Sequence, residues 1–187
     1  SVLWNTVYFS VGTVALSLIL GLILALILNQ KIKGLSIYRA AVFSPWITPT
    51  VASAIVWLWI FQPTNAGLAN SVLRFFGLPR LEWIGDQSWA MPAIIIFTVW
   101  KGMGYNMVYF LAGLTTIPTS LYEAAEIDGA GRWARFRHVT LPLLSPMTFF
   151  LLVVSLIGAF NAFDQIYVMT KGGPAGATRT IVYYLYQ

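Results

Sequence analysis

The 187 residues include no cysteine, which excludes disulfides, thiolate metal sites and a cysteine nucleophile. His138 is the single histidine, so no H-E-x-x-H pair or other histidine cluster can hold a metal. Glycine is nowhere followed by lysine, and the G-x-x-x-x-G-K-[ST] loop that cradles nucleotide phosphates is therefore absent. Charge is scarce as well. Only 9% of residues are Asp, Glu, Lys or Arg, against about 25% in soluble domains. Paired carboxylates fall only outside the long apolar runs, so the sequence offers no active site.

Apolar residues fill the chain instead. They make up 58% of it, above the roughly 45–50% of soluble domains, and a soluble fold of this size could not hide them all. Membrane embedding is the economical answer. Aromatic residues reach 16%, with eight Trp among them, which suits belts at the two membrane interfaces. The net charge of +5 comes from cations scattered between apolar runs. That pattern points to cytoplasmic loops and not to nucleic acid. The chain opens at Ser1 directly into an apolar run, with no basic stretch of a signal peptide. It stops inside another such run, and so reads as an internal fragment of a longer protein.

Four spans and the start of a fifth can be read in order. Val2 to Leu28 carries no charge and exceeds the about 20 residues needed to cross the hydrocarbon core. Thr13, Ser17, Gly21 and Ala25 recur every fourth residue, a smooth stripe for close helix packing. Lys31, Lys33 and Arg39 follow and place that loop on the cytoplasmic side. Tyr38 to Phe61 is the second span. Pro45 and Pro49 lie one turn apart in it, which is incompatible with an unbroken straight helix. The freed backbone groups need partners, and either a packing kink or a watery cavity supplies them. Trp57 and Trp59 mark the opposite interface. Gln62 to Ser88 is polar and external, with Leu68, Val72, Leu73 and Phe76 spaced for a short surface helix.

Trp89 to Ile117 is the third span and holds Lys101, followed by Gly102, Gly104, Tyr105 and Asn106. A lysine inside a span costs about 2.5–3.5 kcal/mol on insertion scales, so it should face protein or water. Two readings stay open: Lys101 with Asn106 beside a solute path, or a structural pairing. Leu143 to about Tyr167 is the fourth span. Its far half carries Asn161, Asp164 and Gln165 among Phe160, Phe163 and Tyr167. Amides and carboxylates interleaved with aromatic faces suit a hydroxyl-rich ligand, although Asp164 fits the outer interface equally well. Ile181 opens the fifth apolar run.

The polar exception is Tyr122 to Pro146, where three carboxylates (Glu123, Glu126, Asp128) and three arginines (Arg132, Arg135, Arg137) fall within fifteen residues. Pro118 stops the preceding helix, and Ser120 with Glu123 fits a capping box for a new one. Gly129 and Gly131 tolerate positive φ and mark a corner. A second short helix from Arg132 sets Trp133, Phe136 and Val139 or Thr140 on one face, and Pro142 limits or bends it.

Glu123-Ala124-Ala125, three residues, Gly129, nine residues, Val139, one residue, then Leu141-Pro142 resembles the EAA loop of ABC importer permeases. Val139 alone departs, standing where isoleucine is common. Thr170, one residue, then Gly172-Gly173-Pro174, with Thr178 and Thr180 beyond, resembles the sugar and glycerol-phosphate branch of that family. Phe160-Asn161-Ala162-Phe163 resembles the part of the span that lines the substrate cavity there.

The resemblance covers essentially the whole chain. It implies an all-α polytopic bundle of the type I ABC importer permease fold, as one domain over residues 1–187, with a cytoplasmic coupling loop at 118–146. The host membrane is the prokaryotic inner membrane. The docking residues implied for a separate ATPase dimer are Glu123, Ala124, Ala125, Asp128, Gly129, Arg132, Trp133, Phe136, Leu141 and Pro142. The solute path is expected at Asn161, Asp164, Lys101, Asn106, Tyr105 and Phe160. ATP and magnesium belong to the partner ATPase and no cofactor to this chain. A second, related permease and an extracytoplasmic solute-binding protein complete the expected assembly. The rival is an ion-gradient transporter or channel, which needs functional ionisable residues deep in the spans; only Lys101 qualifies clearly, and the EAA spacing is left unexplained.

Overall fold

The computed structural model describes residues 1–30, 34–64 and 67–187. Lys31 and Lys33, two of the three cations assigned to the first loop, lie outside the described residues. Helices α1 (Val2–Leu28) and α5 (Ala90–Thr115) are each long and apolar enough to cross a membrane alone. Two bent pairs reach that length only together: α2 (Leu35–Ile47) with α3 (Thr50–Ile60), bent by 101°, and α7 (Arg132–Leu143) with α8 (Ser145–Phe160), bent by 61°. Shorter helices are α4 (Leu68–Phe75), α6 (Thr119–Ile127), α9 (Asp164–Met169) and α10 (Ile181–Tyr186). No strand occurs among the described residues. The all-α bundle expected from the sequence is the fold.

Helix α5 is the centre. Helices α1 and α2 pack along it, while α8 packs on α1 and α5. The small stripe of α1 (Thr13, Ser17, Gly21, Ala25) is buried, whereas Val11, Leu16, Ile19 and Ile23 face outward. This is the close-packing face expected of small residues in lipid, where apolar burial gives little drive. Gly104 shows why a side chain is excluded on α5. A Cβ there would stand 2.2 Å from the Val42 carbonyl oxygen of α2, inside van der Waals contact with backbone that cannot yield.

Two apolar clusters stack along α5. One centres on Phe9, Ile94 and Phe97, the other on Met107, Phe110, Leu144 and Leu151. Between them runs a polar belt of Thr13, Ser17, Lys101 and Asn106. Arg39 caps the end of α1, donating from Nη2 to the Leu28 carbonyl at 2.6 Å.

The second span is bent, as its two prolines require, and the break falls at only one of them. Pro45 lies within α2, and the turn comes at Thr48 (φ −68°, ψ 137°), before Pro49. Proline sterics push the preceding residue out of the helical region, so Thr48 turns the chain.

Two expectations are corrected. The Ser120–Glu123 capping box does not form, because α6 starts at Thr119 with Pro118 at its N-cap (φ −60°, ψ 132°) and has no side-chain cap bond. Pro118 supplies the entry dihedral itself, which leaves Ser120 inside the first turn. The fourth span does not run unbroken to Tyr167: α8 ends at Phe160, and α9 restarts at Asp164. Asn161 Nδ2 donates to the Ile157 carbonyl at 2.9 Å, the local side-chain bond by which Asn competes with helix continuation.

Between α3 and α5, Leu68, Val72 and Phe76 face outward as expected, but Leu73 turns in against the core. Asn70, 4% exposed, organises the segment. Its Nδ2 donates to the carbonyls of Gln62 (3.3 Å) and Leu81 (3.1 Å), and its Oδ1 accepts from Leu81 N and Trp83 Nε1, both at 3.1 Å. Asn70→Ala orphans these groups at about 1–3 kcal/mol each. A marked drop in the thermal unfolding midpoint of the purified subunit is the expected result; an unchanged midpoint would mean that water replaces the amide at no cost.

Candidate functional site: an exposed helical corner and a central cavity

The corner begins where α6 ends. Gly129 takes φ +78°, with its N–H on the Glu126 carbonyl (3.0 Å) and the Ala130 N–H on the Ala125 carbonyl (2.8 Å). This paired closure is the Schellman motif, and glycine at its left-handed position avoids the Cβ penalty. Helix α7 returns along α6. Arg135 Nη1 meets Glu126 Oε2 at 2.7 Å, an exposed pair worth about 0–1 kcal/mol. Tyr122 Oη and Thr140 Oγ1 are bonded at 3.0 Å, with Thr140 buried. The helix widens into a π turn over Phe136–Thr140. Pro142 follows without an N–H, and the wider register is one way to accommodate the missing donor.

The corner leaves apolar surface in the open. Ile127 is 87% exposed and Trp133 71%, with the Trp133 ring 5.4 Å from that of Phe136. Glu123, Ala124, Asp128, Arg132, Leu141 and Pro142 are also exposed, and Ala125 and Phe136 are partly covered. Among the described residues Glu123 makes no ion pair. A rigid apolar knob ringed by both signs of charge suits a protein partner: a central anchor with a polar rim.

The cavity lies in the polar belt. It measures about 230 Å³ and draws on α1 (Thr13, Ser17), α2 (Trp46), α3 (Thr50), α5 (Thr98, Lys101, Tyr105, Asn106), α8 (Ser155, Gly158) and α9 (Gln165). The Lys101 ammonium donates to the Pro45 carbonyl at 3.0 Å and to the Thr48 carbonyl. The Trp46 and Tyr105 rings lie 4.5 Å apart. Asn106 is 2% exposed, and its Oδ1 has no hydrogen-bond partner; neither has the buried Thr13 Oγ1. Unpaired buried polar atoms are costly, and both residues line the cavity, with the two oxygens themselves covered by their neighbours.

Of the path residues expected from sequence, Lys101, Tyr105 and Asn106 come together here. Phe160, Asn161 and Asp164 do not: all three are exposed outside the cavity, around the end of α8. Thr13 and Ser17 were legible only as a packing stripe, and Trp46 and Thr50 carried no signal, since the bend that brings them in is tertiary. No group of three or more metal-ligating side chains occurs among the described residues.

The sequence matches, over residues 17–187, the family described as binding-protein-dependent transport system inner membrane component. The chain belongs to this family. It is 46% identical over 176 residues to the trehalose/maltose transport system permease protein MalF of Thermococcus litoralis, covering 94% of this chain and 59% of that protein. It is 38% identical over 187 residues to the arabinooligosaccharides transport system permease protein AraP of Bacillus subtilis, covering 99% and 60%. The sn-glycerol-3-phosphate transport system permease protein UgpA of Yersinia pestis is also 38% identical over 187 residues, with 98% and 62% covered. Among solved structures, a chain of a bacterial alginate ABC transporter in complex with an alginate pentasaccharide-bound periplasmic protein superposes with a TM-score of 0.85. That match has 26% identity and takes in 99% of this chain and 65% of that one. The chain thus spans about three fifths of the length of the curated relatives it matches.

Proposed function

We propose that this chain is the membrane core of the permease subunit of an ABC importer. It moves a sugar or a related polyol or glycerol-phosphate solute into the cell by alternating access, and partner ATPase subunits drive it. The observation that carries this reading is the exposed corner. Apolar Ile127 and Trp133 on a stapled helix pair, beside an unpaired Glu123, form a surface built to dock. On the reading advanced here the corner faces the cytoplasm and seats in a cleft of an ATPase dimer, which binds the ATP and magnesium. Glu123 meets a basic group there, and Gly129 sets the angle at which Trp133 and Phe136 enter.

The cavity takes the solute. Its aromatic pair Trp46 and Tyr105 offers ring faces to sugar C–H surfaces, and the Asn106 and Thr13 oxygens accept from hydroxyls. At about 230 Å³, below the roughly 300 Å³ at which ligand pockets begin, the cavity holds part of the solute. Phe160, Asn161 and Asp164 contact solute outside this cavity. A second, related permease completes the pore, and an extracytoplasmic binding protein delivers the solute.

Co-purification tests the assignment. The full-length subunit, extracted in mild detergent, is expected to bring an ATPase chain with it, and Trp133→Ala is expected to release that chain without unfolding the subunit. A subunit that purifies with no ATPase and transports on an ion gradient alone would overturn the reading.

A further inference from the structure

Both prolines of the second span remove a backbone donor, and the structure repairs the two gaps differently. In a continuous helix the N–H of residue 45 would bond the Ala41 carbonyl, and that of residue 49 the Pro45 carbonyl; proline offers neither. At the first gap the neighbouring Ser44 Oγ donates to the Ala41 carbonyl at 2.9 Å. That repair is local, and α2 continues through Pro45. At the second gap the donor comes from another helix, 56 residues along the chain: the Lys101 ammonium of α5 bonds the Pro45 carbonyl at 3.0 Å. The same ammonium also takes the Thr48 carbonyl, freed where the chain turns out of α2 by 101°.

We infer that Lys101 is the positioning residue of the α2–α3 elbow, standing in for the N–H that Pro49 lacks and tying the elbow to α5. Three facts converge. A lysine amid apolar helices needs oxygen partners, and carbonyls left at a proline break in lipid need donors. Each solves the other's problem. The carbonyls also lie at the C-terminal end of α2, where the helix dipole favours a cation. Further, Gly104 one turn along α5 lets the two backbones approach, with the Val42 carbonyl where a Cβ would stand. Trp46 and Thr50, either side of the elbow, line the cavity together with Lys101. The ammonium thereby fixes one cavity wall. Among the described residues Lys101 is the one charged side chain lining the cavity, and two of its three ammonium donors go to backbone oxygens.

The test is a double-substitution cycle in the full-length subunit, assembled with its partners in lipid nanodiscs. It is read by amide hydrogen exchange over residues 42–53, which needs no knowledge of the solute. Lys101→Met is expected to speed exchange there roughly tenfold or more, the consequence of losing a hydrogen bond from a charged donor. Lys101→Arg, which keeps donors at the site, should stay near the wild-type rate. Pro49→Ala restores an N–H able to serve the Pro45 carbonyl, so Lys101→Met in that background should have little further effect. If Lys101→Met alone fails to assemble, recovery of assembly in the double variant carries the same meaning. Simple additivity of the two substitutions would overturn the inference. So would unchanged exchange in Lys101→Met with selective loss of anionic solute uptake, the mark of a counter-ion. Failure of the transport assignment would leave the exchange pattern in place, so the two can be told apart.

Discussion

Glu123→Lys is expected to abolish ATP-driven uptake while the subunit still inserts and folds. Glu123 lies in the exposed α6, within nine residues that have no buried member. A cation near a helix N-terminus is unfavourable by only about 0.3–1 kcal/mol, too little to unfold a bundle whose core lies elsewhere. Placed against a basic group of a docked ATPase, the same cation is a like-charge contact, which costs several kcal/mol in an interface. Coupling is more sensitive than binding. A loop transmits work only through a difference in its affinity for two ATPase states, and repulsion that weakens both removes the grip that carries the stroke. Uptake into cells or proteoliposomes, beside membrane quantity and co-purified ATPase, checks it. Normal uptake in the variant would remove Glu123 from the docking surface. Absence from the membrane would instead reassign it to folding.

Much of this architecture was legible in the sequence, because lipid leaves so few solutions. A long uncharged run such as Val2–Leu28 forms a helix long and apolar enough to cross a membrane, and the α1 stripe of small residues packs against another helix. The corner at Gly129 was legible too, since a glycine after an Ala-rich helical turn is a strong stop signal. The failures share a cause. Ser120–Glu123 fits a capping box in spacing, yet Pro118 had already fixed the entry dihedral. The fourth apolar run reads on to Tyr167 by composition, yet Asn161 ends α8 by bonding Ile157. Pro45 and Pro49 look equivalent in one dimension. Their difference depends on whether a donor 3 residues or 56 residues from the freed carbonyl (Ser44 or Lys101) reaches it, which only the packed fold decides.

The same limit applies to the cavity. Lys101, Tyr105 and Asn106 were found because they interrupt an apolar helix. Thr13 and Ser17 were not, because a small hydroxyl on a packing face has two uses and spacing cannot separate them. The structure separates them by hydrogen bonding. Ser17 Oγ donates to the Val14 carbonyl at 3.2 Å, so its donor has a partner on its own helix, while Thr13 Oγ1 has no partner.

Asn106→Leu is expected to split stability from transport. Leucine is close to asparagine in shape, and exchanging an unsatisfied buried polar group for an apolar one of that shape is nearly neutral or stabilising. Asn106 meets those terms: it is 2% exposed, its Oδ1 is unpartnered, and Met107 and Phe110 beside it on α5 are buried. The thermal midpoint should therefore hold or rise. Uptake should fall, because a solute hydroxyl entering the cavity would then be the unpaired group. That penalty is about 1–3 kcal/mol, or roughly 5- to 150-fold in transport efficiency, carried mainly by the apparent solute affinity. An acceptor kept only for folding predicts the opposite pair of results: a lower midpoint with unchanged affinity. Thermal unfolding of the purified subunit and concentration-dependent uptake in proteoliposomes together decide which kind of residue Asn106 is.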